Sequence, residues 1–424
     1  MKILIKGGRV MNPATGFDSV CDVYIIDGII EKIGADITEQ ADKAIDATGK
    51  IVAPGLIDMH THLREPGQEY KEDIKSGTRA AAQGGFTSVA CMPNTSPVLD
   101  NAPLVEFVKN KAAKEGCVNV YPIGAVSKGQ KGEQLAEIGD MKEAGAVAVS
   151  DDGRPVSNPV LMRHAMEYAD MFGMLVISHC EDLNLVAGGS MNEGFVSTRL
   201  GLKGIPNAAE EVQIARDVIL AKETGKRLHI AHVSTAGGVE IIRQAKKQGI
   251  RVTAETCPHY FTLTDEAVEG FDTNAKMNPP LRTQKDVDAV IEGLCDGTLD
   301  AIATDHAPHH RDEKEVEFAV AANGIVGLET ALCLGVTHLV RKKYLTLSEL
   351  LAKMTCNPAD ILSLNKGKLE EKADADIVIF SDDEAYTVDK ETFASKSKNT
   401  PYHGWEVYGR VECTIVGGKV VYER

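Results

Sequence analysis

The stretch DMHTHLREPG sets His60 and His62 two residues apart on an extended chain, so both imidazoles project from one face, as two ligands of one metal ion must. Other imidazoles and carboxylates recur in the same setting, each just after a short apolar run. They are Asp151 and Asp152 in VSDDG, His179 in VISHCED, His232 in IAHVST and Asp305 in ATDHAPHH. A lone histidine of this kind is more often a satisfied core or surface residue than a ligand. Four histidines with two acidic positions at five such ends are not explained by packing, because burying them without a metal or partners costs several kcal/mol. Imidazoles and carboxylates suit Zn²⁺ better than Mg²⁺ or Ca²⁺, and the absence of thiolates points to an open catalytic site. Two such ions sharing a bridging carboxylate would make hydroxide available near neutral pH, which predicts hydrolytic chemistry.

The elements that must position these groups are eight apolar, β-branched runs: IVAPGLIDMH (51–60), FTSVACM (86–92), VNVYPIGAV (118–126), AVAVS (146–150), MLVIS (174–178), RLHIAHV (227–233), RVTAETC (251–257) and LDAIAT (299–304). Near-continuous hydrophobicity suits strands buried on both faces of a parallel sheet. Between them lie amphipathic segments such as NPVLMRHAMEYADMFG and TAGGVEIIRQAKKQG, several closing on glycine as helices do. The pattern predicts an α/β fold, a (β/α)8 barrel over residues 53–360, with the polar residues at the carboxyl ends of its strands, where barrel enzymes place their active sites. The flanks instead show short alternating strands with Gly or Asp-Gly turns, as in CDVYIIDGIIEKIG and GRVECTIVGGKVVYE. They predict antiparallel hairpins, and residues 1–52 and 361–424 are expected to meet as one small β-sandwich beside the barrel.

DMHTHLREPG, MPNT (92–95), SDDGRPV (150–156), ISHCED, IAHVSTA, CPHY and ATDHAPH together resemble the amidohydrolase superfamily, and specifically its bacterial type I dihydroorotases. The likeness runs over nearly the whole chain. HxH and VAPGLID mark only the superfamily, whereas HLREPG with MPNT and DHAPH is far more specific. The resemblance implies reversible, zinc-dependent cyclisation of N-carbamoyl-L-aspartate to L-dihydroorotate in pyrimidine synthesis. It implies His60 and His62 as ligands of one zinc, His179 and His232 of another, Asp152 as the bridge, and Asp305 as both ligand and general acid/base. Many superfamily members bridge with a carboxylated lysine, but no lysine follows AVAVS, which weakens allantoinase or hydantoinase as alternatives. For the substrate the resemblance points to Arg64, Asn94 and His309 at the α-carboxylate, and to Asn278, Asn323 and Gly324. By residue type alone, Arg64 reads as a surface salt bridge, Asn94 as a turn residue and His309 as part of a solvated loop. Alternation says only that Asp151 and Asp152 face opposite ways; the choice of Asp152 rests on the resemblance.

Forty-six basic against sixty-two acidic residues give a net charge of -16, which argues against nucleic acid and anionic membranes as partners. No apolar run approaches the ~20 residues of a membrane span, and the opening MKILIKGGRVMNPATG is not a signal peptide. Nine widely spaced cysteines without a CxxC read as reduced thiols in a cytoplasmic protein. A homo-oligomer is expected, and the resemblance raises association with aspartate transcarbamoylase, as in some family members. His229, in mid-strand, reads as packing, and RDEKEVEF (311–318) as a solvated surface or a loop over the site.

Overall fold

The computed structural model describes residues 1–424. The chain opens with β1 (Lys2–Asn12), β2 (Phe17–Ile26), β3 (Ile29–Gly34), β4 (Lys43–Asp46) and β5 (Ile51–Pro54). The barrel strands follow as β6 (Leu56–Thr61), β7 (Phe86–Cys91), β8 (Asn119–Gly124), β9 (Ala148–Ser150) and β10 (Leu175–Ser178). A short pair, β11 (Met191–Asn192) and β12 (Gly204–Ile205), precedes β13 (Leu228–Ile230), β14 (Val252–Thr256) and β15 (Ala301–Ile302), which complete the barrel. The last strands are β16 (Ile377–Ser381), the pair β17 (Tyr386–Thr387) and β18 (Glu406–Val407), then β19 (Arg410–Val416) and β20 (Lys419–Glu423).

β6 to β10 and β13 to β15 form one eight-stranded, wholly parallel sheet. Its ends are drawn together where the His62 amide donates to the His306 carbonyl at 2.9 Å and the Thr304 amide donates to Asp58 Oδ1 at 3.2 Å. This is the predicted (β/α)8 barrel. Every residue of β6 and β7 is buried, as strands covered by helices outside and side chains inside must be. A cluster including Met59, Ile123, Leu175, Ile177 and Ala301, with Ile361 and Leu362, fills the barrel interior. The larger core lies between strands and helices.

The run Ile51–His60 divides into two strands, β5 and β6, instead of forming one. Pro54 has no N–H to continue a ladder, and at Gly55 a Cβ would sit 2.1 Å from the Thr87 side chain, so the backbone can change sheets there. β5 joins the strands from the two chain ends in a single mixed eight-stranded sheet, ordered β20-β19-β16-β5-β1-β2-β3, with β4 also on β1. Antiparallel hairpins account for only part of it, because β1 pairs in parallel with both β4 and β5. This sheet encloses its own core, including Ile3, Ile5, Val23, Ile25, Ile377 and Ile415. The chain between β16 and β19 returns to the barrel, where Val388, Tyr402 and Val407 enter the main core. No helix is long and apolar enough to cross a membrane.

Candidate metal centre

Five strand ends converge. His60 lies in β6 and His62 just beyond it; Asp152 follows β9, His179 follows β10, His232 follows β13 and Asp305 follows β15. Their side chains meet at the carboxyl mouth of the barrel, all nearly buried. His60 Nε2 lies 3.3 Å from Asp152 Oδ1, His179 Nδ1 3.4 Å and His232 Nε2 3.5 Å from the same oxygen, and His62 Nε2 lies 3.5 Å from Asp152 Oδ2. Asp305 Oδ1 stands 3.0 Å from His62 Nε2 and 3.6 Å from His60 Nε2. His179 Nδ1 and His232 Nε2 are 2.8 Å apart. Asp151 turns away: its Oδ1 accepts from the amides of Val126 and Ser127 at 2.8 and 3.1 Å.

This donor set fits metal ions. Two ligands each ~2.1 Å from a tetrahedral zinc lie ~3.4 Å from one another, which is the spacing seen around Asp152. His60 Nε2 and Asp152 Oδ1 are buried without any hydrogen-bond partner, a costly arrangement for polar atoms unless a cation takes their lone pairs. Asp152 touches all four imidazoles, so it is the one carboxylate able to serve ions on both sides. Burial alone would raise the Asp152 and Asp305 carboxyls, but the charge of His60 and the other imidazoles crowded against them hold both below the ordinary carboxylate range. Both are therefore anionic and ready as ligands.

The far nitrogens of three rings are held by acceptors that fix which nitrogen faces inward. His60 Nδ1 meets Glu255 Oε1 at 2.8 Å, His62 Nδ1 meets Asn94 Oδ1 at 2.8 Å, and His179 Nε2 meets Glu181 Oε2 at 3.3 Å. Glu255 and Glu181 had no reading from sequence; the only local signal is an acidic residue in a buried strand, TAETC, and one two residues past His179. His229, expected to be packing, also belongs here. Its Nε2 lies 3.3 Å from Glu255 Oε2, while its Nδ1 meets Thr253 Oγ1 at 2.8 Å.

Above the centre is a cavity of about 180 Å³ lined by Arg64, Asn94, Asn278, His309, Asn323 and Gly324, together with the ligand candidates other than His60. Every residue that the motifs singled out for substrate thus borders one space. Arg64 is not a surface salt bridge. It is 7% exposed, donates from Nε to the Pro308 carbonyl at 3.1 Å, reaches His309 Nε2 at 3.3 Å and forms no ion pair. Burial pulls its guanidinium down to about 10, still charged at neutral pH. His309 is buried rather than solvated, and its Nε2 donates to the Asn323 carbonyl at 2.8 Å. Arg64, His232 and Asp305 have positive φ angles of 62°, 36° and 47°, left-handed conformations that residues other than glycine seldom adopt. A larger cleft of about 420 Å³ lies beyond His309, but it shares only that residue with the cavity and contains none of the ligand cluster.

No lysine stands at the end of β9 or in the cavity lining. The chain is 62% identical to the dihydroorotase of Ruminiclostridium cellulolyticum, covering 100% of this chain and 99% of the relative. It is 60% identical to that of Acetivibrio thermocellus, covering 99% and 98%. Among solved structures it resembles an L-hydantoinase (dihydropyrimidinase) from Arthrobacter aurescens, with TM-score 0.90, 28% identity, and 99% and 96% of the two chains covered. A dihydropyrimidinase from Brevibacillus agri NCHU1002 follows at TM-score 0.88 and 25% identity, covering 100% and 95%. A Dihydro-orotase-like family model matches residues 49–237, and an Amidohydrolase family model matches residues 320–422. With this identity sustained end to end over a metal-type centre, the chain belongs to the dihydroorotase family of amidohydrolases.

Proposed function

We infer that the protein catalyses the reversible, metal-dependent closure of N-carbamoyl-L-aspartate to L-dihydroorotate with release of water, a step of pyrimidine biosynthesis. The observation that carries this reading is Arg64, a buried guanidinium without a carboxylate partner beside the metal-type cluster. A buried cation of this kind calls for an anionic guest. A substrate with a free α-carboxylate supplies one, whereas a neutral hydantoin ring does not.

Zinc is the ion we propose, two per chain. His60, His62, His179, His232 and Asp305 would be the ligands, with Asp152 between the ions; four imidazoles with carboxylates and no thiolate support that choice. Bound there, zinc would polarise the carbonyl of the scissile amide and bring the pKa of water toward neutrality. Arg64 holds the α-carboxylate, with Asn94 and His309 adding directional bonds, and this fixes the face of the ring turned to the centre. Asn278, Asn323 and the Gly324 backbone bound the rest of the ring.

Asp305 moves the proton. Its Oδ1 is the oxygen that meets His60 and His62, which leaves Oδ2 to take a proton from the attacking water and pass it to the departing ring nitrogen. In the cyclising direction the same oxygen accepts the proton of the carbamoyl nitrogen and returns it to the leaving water. Closure of the dianion takes up a proton, so low pH favours dihydroorotate. Nine free cysteines support a reducing, cytoplasmic setting.

The test is incubation of the zinc-loaded protein with N-carbamoyl-L-aspartate near pH 6, following dihydroorotate, with dihydrouracil and hydantoin in parallel. Dihydroorotate formation with negligible opening of the uncharged rings is expected. Opening of dihydrouracil with no dihydroorotate turnover would replace this reading with a dihydropyrimidinase.

A further inference from the structure

Residues 315–324 have no helix or strand of their own, yet they end in Asn323 and Gly324, which wall the cavity. Most of its residues are exposed, but Phe318, Ala321 and Gly324 are buried, and without a ladder the carbonyls turned inward need donors from elsewhere. Two lysines supply them. Lys276 Nζ donates to the carbonyls of Ala319 at 2.8 Å and Ala321 at 2.7 Å. Lys314 Nζ donates to those of Ala322 at 2.8 Å and Gly324 at 3.1 Å. Between the last two, the carbonyl of Asn323 receives His309 Nε2 at 2.8 Å. Both lysines are buried, 6% and 5% exposed, and neither forms an ion pair, although lysine is rarely buried unless paired.

We propose that Lys276 and Lys314 form a paired ammonium clasp that shapes residues 319–324 into the substrate wall, and so act as positioning residues for the closure reaction. This rests on the reading of the cavity as the substrate site. Each lysine lies near another substrate contact, Lys276 two residues before Asn278 and Lys314 five after His309, so the clasp ties three rim segments together. The tie is doubled because the Gly324 amide donates back to the Lys276 carbonyl at 2.8 Å. The wall has no slack at this point. Gly324 has a φ of +112°, and a Cβ there would lie 2.5 Å from Ala307 Cβ. An ammonium on a long apolar stem suits the task, since its N–H donors reach several carbonyls from one buried point. Burial and the nearby charge of Lys276 pull the Lys314 ammonium down to about 7, yet a neutral amine still has two N–H bonds for its two carbonyls.

The experiment uses the zinc-loaded full chain with Lys314→Met and Lys276→Met, reading amide exchange over 319–325, bound metal and steady-state kinetics. The expected result is exchange faster by about tenfold or more, KM for N-carbamoyl-L-aspartate raised about tenfold, kcat within about threefold and metal content unchanged, because each substitution removes two hydrogen bonds that hold the wall, and a tenfold change corresponds to about 1.4 kcal/mol. Lys314→Gln keeps two N–H donors on a shorter stem and should fall between wild type and Lys314→Met; it provides the same readings if the methionine variants do not fold. Unchanged exchange overturns the clasp. Faster exchange with unchanged KM overturns its role in positioning while leaving the activity, which wild-type turnover tests separately, untouched.

Discussion

Glu255 receives His60 Nδ1 at 2.8 Å across 195 residues of chain, and its other oxygen faces His229 Nε2 at 3.3 Å. The carboxylate lies wholly inside the barrel and stays ionised. Burial would raise it, but hydrogen bonds from His229 and His60 hold it at about 2. A negative charge behind His60 fixes the tautomer with Nε2 turned to the centre and makes that nitrogen a better ligand. Glu255→Gln should therefore lower metal affinity by about 10- to 100-fold with little change in fold. Competition with a chelator of known affinity measures this, and undiminished metal retention would reduce Glu255 to a structural acceptor.

If Asp305 moves the proton, Asp305→Asn should cut kcat in both directions by ~10² or more. Asparagine preserves shape and one oxygen, so metal content should fall far less than turnover. Near-normal kcat would assign the proton to another group.

The strand ends were legible because ligand-type residues interrupt β-branched runs: His60, His179 and His232 stand out against LIDM, LVIS and LHIA. Asp152 was not separable from Asp151 by alternation alone. What separates them is the Ser127 loop, 24 residues upstream, which engages Asp151 through two backbone amides. Glu255 and His229 were illegible for a related reason. Their meaning depends on which strands the barrel makes neighbours, and no local spacing encodes that. Lys276 drew no reading and Lys314 fell within the charge-rich RDEKEVEF, since a lysine satisfied by carbonyls has no motif. The single run Ile51–His60 concealed a change of sheet, for which Pro54-Gly55 was the available signal.

Arg64→Lys tests carboxylate recognition. Lysine keeps the charge but replaces a planar fork with a point, so the guest's carboxylate loses one charge-assisted hydrogen bond, worth about 1.5–3 kcal/mol. KM for N-carbamoyl-L-aspartate should rise at least about tenfold, with kcat reduced less. Unaltered KM would remove Arg64 from the substrate's carboxylate.

Glu329 tests the electrostatics of the barrel away from the centre. Burial pushes its carboxyl up to about 8, against the opposing pull of the Ala394 and Ser395 amides, which reach its two oxygens at 2.6 and 3.3 Å. In the unfolded chain a glutamate ionises near ~4.3. A raised folded value means the folded state resists ionisation. No penalty exists below ~4; stability is lost progressively as pH rises through the interval up to about 8, and the loss is constant above it. Glu329→Gln never ionises. Its backbone hydrogen bonding changes by an amount that does not vary with pH, so the diagnostic is the slope. The Tm of the variant minus that of wild type should climb from pH 5 to pH 8.5, roughly spanning the window between the two ionisations, and then level off. A difference that stays flat across this range would mean that Glu329 ionises as it does in water, with the two amides outweighing its burial.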